Sequence, residues 1–287
     1  MPPNGTPVGD RSTDAIGVFD SGVGGLSVLR ALHGELPLEK FVYVGDSGHA
    51  PYGERDDAHV IARSHSIARY LIELHHIKAL VVACNTATAA AIKLLRQDFP
   101  DLPIVGIEPA LKPAAQSSHT KVIGVMATRG TLNSEKFGSL LASLHGQATF
   151  VLQPCDGLAD AIEHADATKT IAACAYSTGA MGQFGHESGA IDTLVLGCTH
   201  YPFATDILRS LVGPNVTFLE GGAPVARQTR RLLAERHWLA PAATDADPAA
   251  LFRRMPAFFT TGNATNLHTA VERWLQVQAD VQFIRIA

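Results

Sequence analysis

No stretch of this sequence approaches the ~20 consecutive apolar residues that a membrane-spanning helix requires, and neither sign of charge dominates. Lysine and arginine number 23 against 27 aspartates and glutamates, a formal net charge of −4. The charges are scattered, with no basic stripe to follow a phosphate backbone, so nucleic acid is not an expected partner. Cysteine is scarce. The four, at 84, 155, 174 and 198, form no C-x-x-C pair, which leaves zinc or iron–sulfur ligation without support. The opening MPPNGTPVGDRSTD has no basic segment leading into an apolar one, so it does not read as a secretory signal. The expectation is a cytoplasmic protein with reduced thiols and no disulfide framework, its residues 1–13 a loosely ordered tail.

What the sequence does hold is apolar substance. At 287 residues and 46% hydrophobic it can bury a sizeable core, and two domains fit its length comfortably. AIGVF (15–19), FVYVG (41–45), ALVVA (79–83) and PIVGI (103–107) read as buried strands. KVIGVM (121–126), TFVLQ (149–153), DTLVLG (192–197) and VTFLE (216–220) continue the rhythm. Helical patterns lie between them. In RSHSIARYLIELHH, Ile67, Tyr70, Leu71 and Leu74 recur at i, i+3, i+4 and i+7 and predict one apolar helix face. His75 and His76 at its end read as solvated. Strands alternating with helices build parallel sheets covered on both faces. The fold class is α/β.

A weak internal repeat points to two similar lobes. LVVACNT and LVLGCTH share Leu, Val and Cys, and Ile16-Gly17-Val18 echoes Ile123-Gly124-Val125. In each half a cysteine follows the first strand's end by roughly seventy residues, Asp20 to Cys84 and Ala127 to Cys198. Each cysteine then sits at the carboxyl end of a strand, where open α/β sheets build ligand sites.

Each motif carries a bland reading beside a functional one. DSGVGGLS (20–27) lies between a strand and a helix. It is a tight turn, a dinucleotide loop with Asp46 as the ribose acid, or a cradle whose N–H groups and Ser21 hydroxyl hold a carboxylate. Cys84 precedes Asn85 and Thr86, good residues for a helix start, and the helix dipole there is expected to lower its thiol pKa. Cys198 has a similar setting, because Pro202 suits a first helical turn. One such cysteine is ordinary core filler; two in matched contexts point to chemistry. His200 is a structural histidine or a partner of that second thiol. TRGT (128–131) follows the matching strand of the second half and offers hydroxyls to the same cleft. Cys155 and Cys174 lack such neighbours and read as structural.

Two thiols facing one ligand suit two-base stereoinversion, in which one removes a proton from carbon and the other delivers one to the opposite face. The same inversion acting on aspartate or a related acid, an amino-acid binder and a thiol–disulfide sensor are the other readings. FDSGVGGLSV, PYG, ACNTATA and LVLGCTHYPF, in this order and at these separations, resemble the glutamate racemases of the aspartate/glutamate racemase superfamily. The likeness runs from about residue 15 to 275. It implies a cofactor-independent isomerase that interconverts L- and D-glutamate and supplies D-glutamate for peptidoglycan, commonly as a homodimer. It implies Cys84 as the acid/base for the D-enantiomer's α-proton and Cys198 for the L-enantiomer's. By the same resemblance Asp20 assists the first cysteine and meets the substrate ammonium, and His200 assists the second. Ser21, Tyr52, Gly53, Asn85, Thr86, Thr199 and Thr128 fall at substrate-binding positions. CDGLADAIE resembles the stretch ending in a supporting glutamate, Glu163, with Asp156 where that stretch commonly has proline. The implied lobes are 14–107 plus 221–287, and 108–220, with the active site between them.

Overall fold

The structure, a computed structural model, describes residues 9–241 and 256–286. Residues 1–8 of the expected tail lie outside them. Residues 11 and 12 do not trail: Arg11 Nη2 donates to the Ile77 carbonyl at 2.7 Å, and Lys78 Nζ donates to the Ser12 carbonyl at 2.8 Å. The Lys78 ammonium is buried and sits 2.6 Å from the Glu39 carboxylate, which compensates the cost of removing both charges from water.

The first half runs β1 (Ile16–Asp20), α1 (Leu26–Glu35), β2 (Phe41–Gly45), α2 (Asp57–His75), β3 (Ala79–Val82), α3 (Asn85–Asp98) and β4 (Ile104–Gly106). The chain continues through α4 (Leu111–Ser117), β5 (Val122–Ala127), α5 (Arg129–Asn133), α6 (Glu135–Ala142), β6 (Thr149–Pro154), α7 (Leu158–Glu163) and α8 (Ala167–Met181). Next come β7 (Thr193–Gly197), α9 (Thr205–Val212), β8 (Thr217–Leu219) and α10 (Gly222–Glu235), then β9 (Ala257–Thr260), α11 (Ala264–Leu275) and β10 (Val281–Phe283). Among the described residues these strands form two parallel sheets, ordered β10-β9-β2-β1-β3-β4 and β6-β5-β7-β8. The expected strands are all present, with ends shifted by a residue or so.

Helices on both faces explain why the central strands read as continuous apolar runs. Alternate β1 residues serve opposite cores: Val18 packs with Leu29, Tyr43 and Val81, and Phe19 with Val44, Ile67 and Leu80. The predicted face of α2 needs correction. Its buried residues are Val60, Arg63, Ser64, Ile67, Ala68 and Leu71, and Leu74 in the last turn is 66% exposed. Periodicity missed Arg63 because arginine scores as surface; here it forks onto Asp46, with Nε and Nη2 each 3.0 Å from a carboxylate oxygen. His75 is not solvated either. Its ring lies 4.9 Å from Phe259 and 5.2 Å from Tyr70, and burial lowers its pKa.

The register places β1 beside β3 and β5 beside β7. The segments after these strands therefore leave side by side at the sheets' carboxyl ends. The second sheet is pinned at its other end by Asp192, which is 2% exposed. Its carboxylate accepts from Ser118 Oγ at 2.6 Å, the His119 and Thr120 amides at 2.7 and 3.0 Å, and Thr193 Oγ1 at 2.9 Å. Burial opposes its charge, but these donors prevail and hold its pKa down to about 2. Because the folded pKa is depressed, the stabilisation is present above the ordinary carboxylate pKa and is lost as pH falls through the folded one. Asp192→Asn should lower stability near pH 7 by about 1–3 kcal/mol. The gap from wild type should close as pH falls from ~4 to about 2, as urea melts across that range would reveal.

Candidate active site

Four segments converge at the carboxyl ends of the two sheets. From β1 the chain emerges at Asp20, which is completely buried. One of its carboxylate oxygens accepts the Gly22 amide at 3.1 Å, and the other accepts the Thr199 hydroxyl at 3.2 Å across the cleft. Burial raises its pKa, and the neighbouring His200 charge opposes that rise.

Beyond β3, Cys84 is the N-cap of α3 and its sulfur accepts the Ala87 amide at 3.5 Å. The expected lowering of its pKa by the helix end is overridden. Burial and then the nearby Asp20 carboxylate push the Cys84 thiol up to about 12, because both disfavour a second buried anion. The thiol points 3.8 Å from Ser21 Oγ.

On the second sheet, β7 delivers Cys198, Thr199 and His200. The Cys198 sulfur lies 3.8 Å from His200 Nδ1, and His200 Nε2 lies 2.7 Å from Glu163 Oε2. Burial opposes a charged imidazole, yet the Cys198 and Glu163 contacts raise its pKa well above the usual value. Burial likewise opposes the Glu163 charge, but His200, Ser47 Oγ and the Val23 amide hold its pKa below the ordinary carboxylate range. Ser47 Oγ and the Val23 amide both donate to Glu163 at 2.7 Å. An imidazolium–carboxylate pair thus stands behind Cys198.

This pair explains the glycine loop. A Cβ on Gly22 would sit 2.1 Å from Glu163 Oε2, and one on Gly24 would sit 2.3 Å from His200 Nδ1. The loop is bare so that Glu163 and His200 can press against it. The Val23 amide that the cradle reading offers to a ligand already holds the protein's own carboxylate. The dinucleotide reading fails as well: Asp46 is enclosed by Arg63, by the Tyr52 hydroxyl at 2.5 Å and by the Thr261 hydroxyl at 2.7 Å.

Between the sheet ends lies a narrow cleft. Ser21, Tyr52, Gly53, Cys84, Asn85, Thr86, Thr128, Glu163, Cys198, Thr199 and His200 all line it. Asp20 does not; it stands behind the wall. Thr86 Oγ1 and Thr128 Oγ1, from opposite sheets, are 3.1 Å apart. Asn85 Oδ1 is buried without a hydrogen-bond partner, an acceptor that a bound molecule would satisfy. The sequence reading missed Cys155, which also lines the cleft, and the charged rim of Glu54, Arg129, Asp156 and Asp160. Arg129 follows Thr128 at a strand end, and Cys155, Asp156 and Asp160 lie in the CDGLADAIE stretch that leads to Glu163. Cys174 packs in the core with Met126, Leu158 and Leu194.

The family model for Asp/Glu/hydantoin racemases matches residues 26–229. The chain belongs to that family. It is 44% identical over 272 residues to the glutamate racemase of Ectopseudomonas mendocina, covering 95% of this chain and 98% of that one. Identity to the glutamate racemase of Cupriavidus pinatubonensis is 43%, with 94% of this chain and 95% of that one covered. A crystal structure of a glutamate racemase isoform from Bacillus anthracis superposes with a TM-score of 0.80 at 31% identity, covering 96% of this chain and 98% of that one. The Escherichia coli glutamate racemase, crystallised with L-glutamate and an activator, gives 0.79 at 28% identity, with 96% and 99% covered.

In this racemase-family chain the raised Cys84 pKa has a direct readout. Alkylation of Cys84 by iodoacetamide in the ligand-free protein should keep accelerating well above pH 9, because only the thiolate reacts. Asp20→Asn removes the adjacent negative charge and should speed the reaction at pH 8. Peptide mass spectrometry after timed labelling reads both effects, and an unchanged rate in the variant contradicts the electrostatic coupling.

Proposed function

We propose that this protein interconverts L- and D-glutamate without a cofactor, by proton transfer between the substrate α-carbon and two thiols. The observation that carries the reading is that Cys84 and Cys198, delivered by different sheets, line one cleft. The glutamate racemase names of its relatives and the L-glutamate in the Escherichia coli structure support the substrate.

The α-hydrogen of an amino acid is a very weak acid, so a base alone is insufficient. Cys84 takes the α-proton of D-glutamate while Cys198 protonates the opposite face, and the roles reverse for L-glutamate. The raised Cys84 pKa fits this task once substrate is present. An ammonium entering beside Asp20 brings a positive charge to the two groups whose mutual repulsion disfavours the thiolate, which lowers the thiol pKa and makes the base. Asp20, kept basic by burial, takes the assisting role on the Cys84 side in this reading. On the other side the Glu163–His200 pair keeps a proton donor behind Cys198. Negative charge developing on the substrate is held by preorganised donors. Ser21, Tyr52, Gly53, Asn85, Thr86, Thr128 and Thr199 supply these donors at the wall, Tyr52 and Thr199 through backbone amides because their hydroxyls already donate to Asp46 and Asp20. Closure of the cleft would exclude water and strengthen each contact.

The proposed lobes are 14–107 plus 221–287, and 108–220. A Cβ on Gly221 would meet the Glu108 carbonyl at 3.1 Å, so the two proposed chain crossings run close together. No helix among the described residues is long and apolar enough to cross a membrane. A cytoplasmic homodimer that supplies D-glutamate for peptidoglycan completes the reading.

The test is proton NMR of the dialysed protein with L-glutamate in heavy water, with polarimetry alongside. The α-proton signal should vanish as optical rotation decays to zero; exchange of aspartate alone would refute the substrate assignment. Cys84→Ala and Cys198→Ala should each lose roughly 10²–10⁴-fold or more in turnover with the fold intact by circular dichroism. Glu163→Gln removes the carboxylate that keeps His200 charged. The alkaline limb of the pH–rate profile should therefore move to lower pH, and an unmoved limb would refute the proton-donor role.

A further inference from the structure

The mouth of the cleft has an electrostatic problem that the catalytic groups do not solve. Glu54, Asp156 and Asp160 line it, and Arg129 is the one cation there among the described residues besides His200, whose charge Glu163 already cancels. A dicarboxylic amino acid carries one net negative charge at neutral pH and must approach a rim bearing three carboxylates. Arg129 is not free to meet it. Its Nη2 lies 2.5 Å from Asp156 Oδ2, with the two side chains 58% and 53% exposed. Asp156 is also the residue that stands where the resembling stretch commonly has proline.

Resting on the reading of the cleft as a glutamate racemase site, we propose that Arg129 is the recruiting contact for an incoming substrate carboxylate, and that Asp156 occupies it until exchange. Three features support the exchange. Both partners line the same mouth, so a carboxylate entering the cleft passes within reach of the guanidinium. The pair is solvated on both sides, and exposed ion pairs contribute little net stability, so replacing one carboxylate by another is nearly neutral. The guanidinium donates to any carboxylate in the same planar geometry. Asp156 thereby tunes affinity: it keeps the arginine ordered at the rim while competing with substrate for it. Arg129 touches no reacting atom in this scheme and acts as a recruiting and positioning residue.

Steady-state kinetics with L-glutamate at low and high ionic strength test this. Arg129→Ala should raise KM by roughly three- to tenfold, with kcat changed by less than about twofold. Asp156→Asn, which frees the arginine, should lower KM by roughly two- to fivefold. Because mobile ions screen exposed charges, kcat/KM should rise with salt most steeply in Arg129→Ala, whose rim keeps three unopposed carboxylates, and least in Asp156→Asn. Arg129→Lys, which keeps the charge, should restore KM to within about twofold of wild type. The opposite signs of the two changes are decisive, since a tie that merely braces the loop would shift KM the same way when either partner is lost. Shifts of the same sign, or an Arg129→Ala variant with wild-type KM, overturn the assignment. A wild-type protein inert towards glutamate overturns the underlying reading instead, and the two failures are told apart by that control.

Discussion

The site depends on one carboxylate that three donors share. Glu163 sits at the end of α7, alongside the second sheet, and is held by His200 of the same half and by Val23 and Ser47 of the first. A buried carboxylate is tolerable only when its oxygens are occupied, so all three partners must stay in place. That requirement brings the glycine loop close, keeps the His200 imidazole charged and sets its other nitrogen towards the Cys198 sulfur. One buried ion pair thus fixes the relative positions of the β1 loop, the β7 loop and α7.

The two thiols are alike in sequence and unlike in surroundings. Cys84 faces a buried aspartate, and its proton is held tightly in the free protein. Cys198 faces an imidazole whose own proton is held by Glu163. A reaction that runs both ways needs a base on one face and an acid on the other, and the near-symmetry of the two lobes supplies opposed thiols. Asp20 is thus the charged neighbour of one thiol and the Glu163–His200 pair that of the other.

Much of this was legible in the chain. Continuous β-branched runs between helical patterns gave parallel sheets, and the matched cysteine motifs placed Cys84 and Cys198 at strand ends. The errors share a cause. Hydrophobic periodicity puts Leu74 in the core and leaves Arg63 out, because it cannot see that a buried aspartate awaits a guanidinium. The helix dipole argument for Cys84 was sound locally and lost to burial and to Asp20, a neighbour from another strand. Cys155 joined the cleft through the packing of β6 against β5, which no short motif encodes.

Sequence alone determined the local facts: where strands end, where α3 begins and where the chain turns. Those follow from backbone sterics and short-range hydrogen bonding, which act within a few residues. Tertiary structure decided the electrostatics. Whether a thiol is easy or hard to ionise, whether a histidine is charged and whether a glycine loop holds a ligand or the protein's own glutamate all depend on groups distant in sequence. Burial removes the water that would screen those groups from one another, and only the fold determines which of them meet.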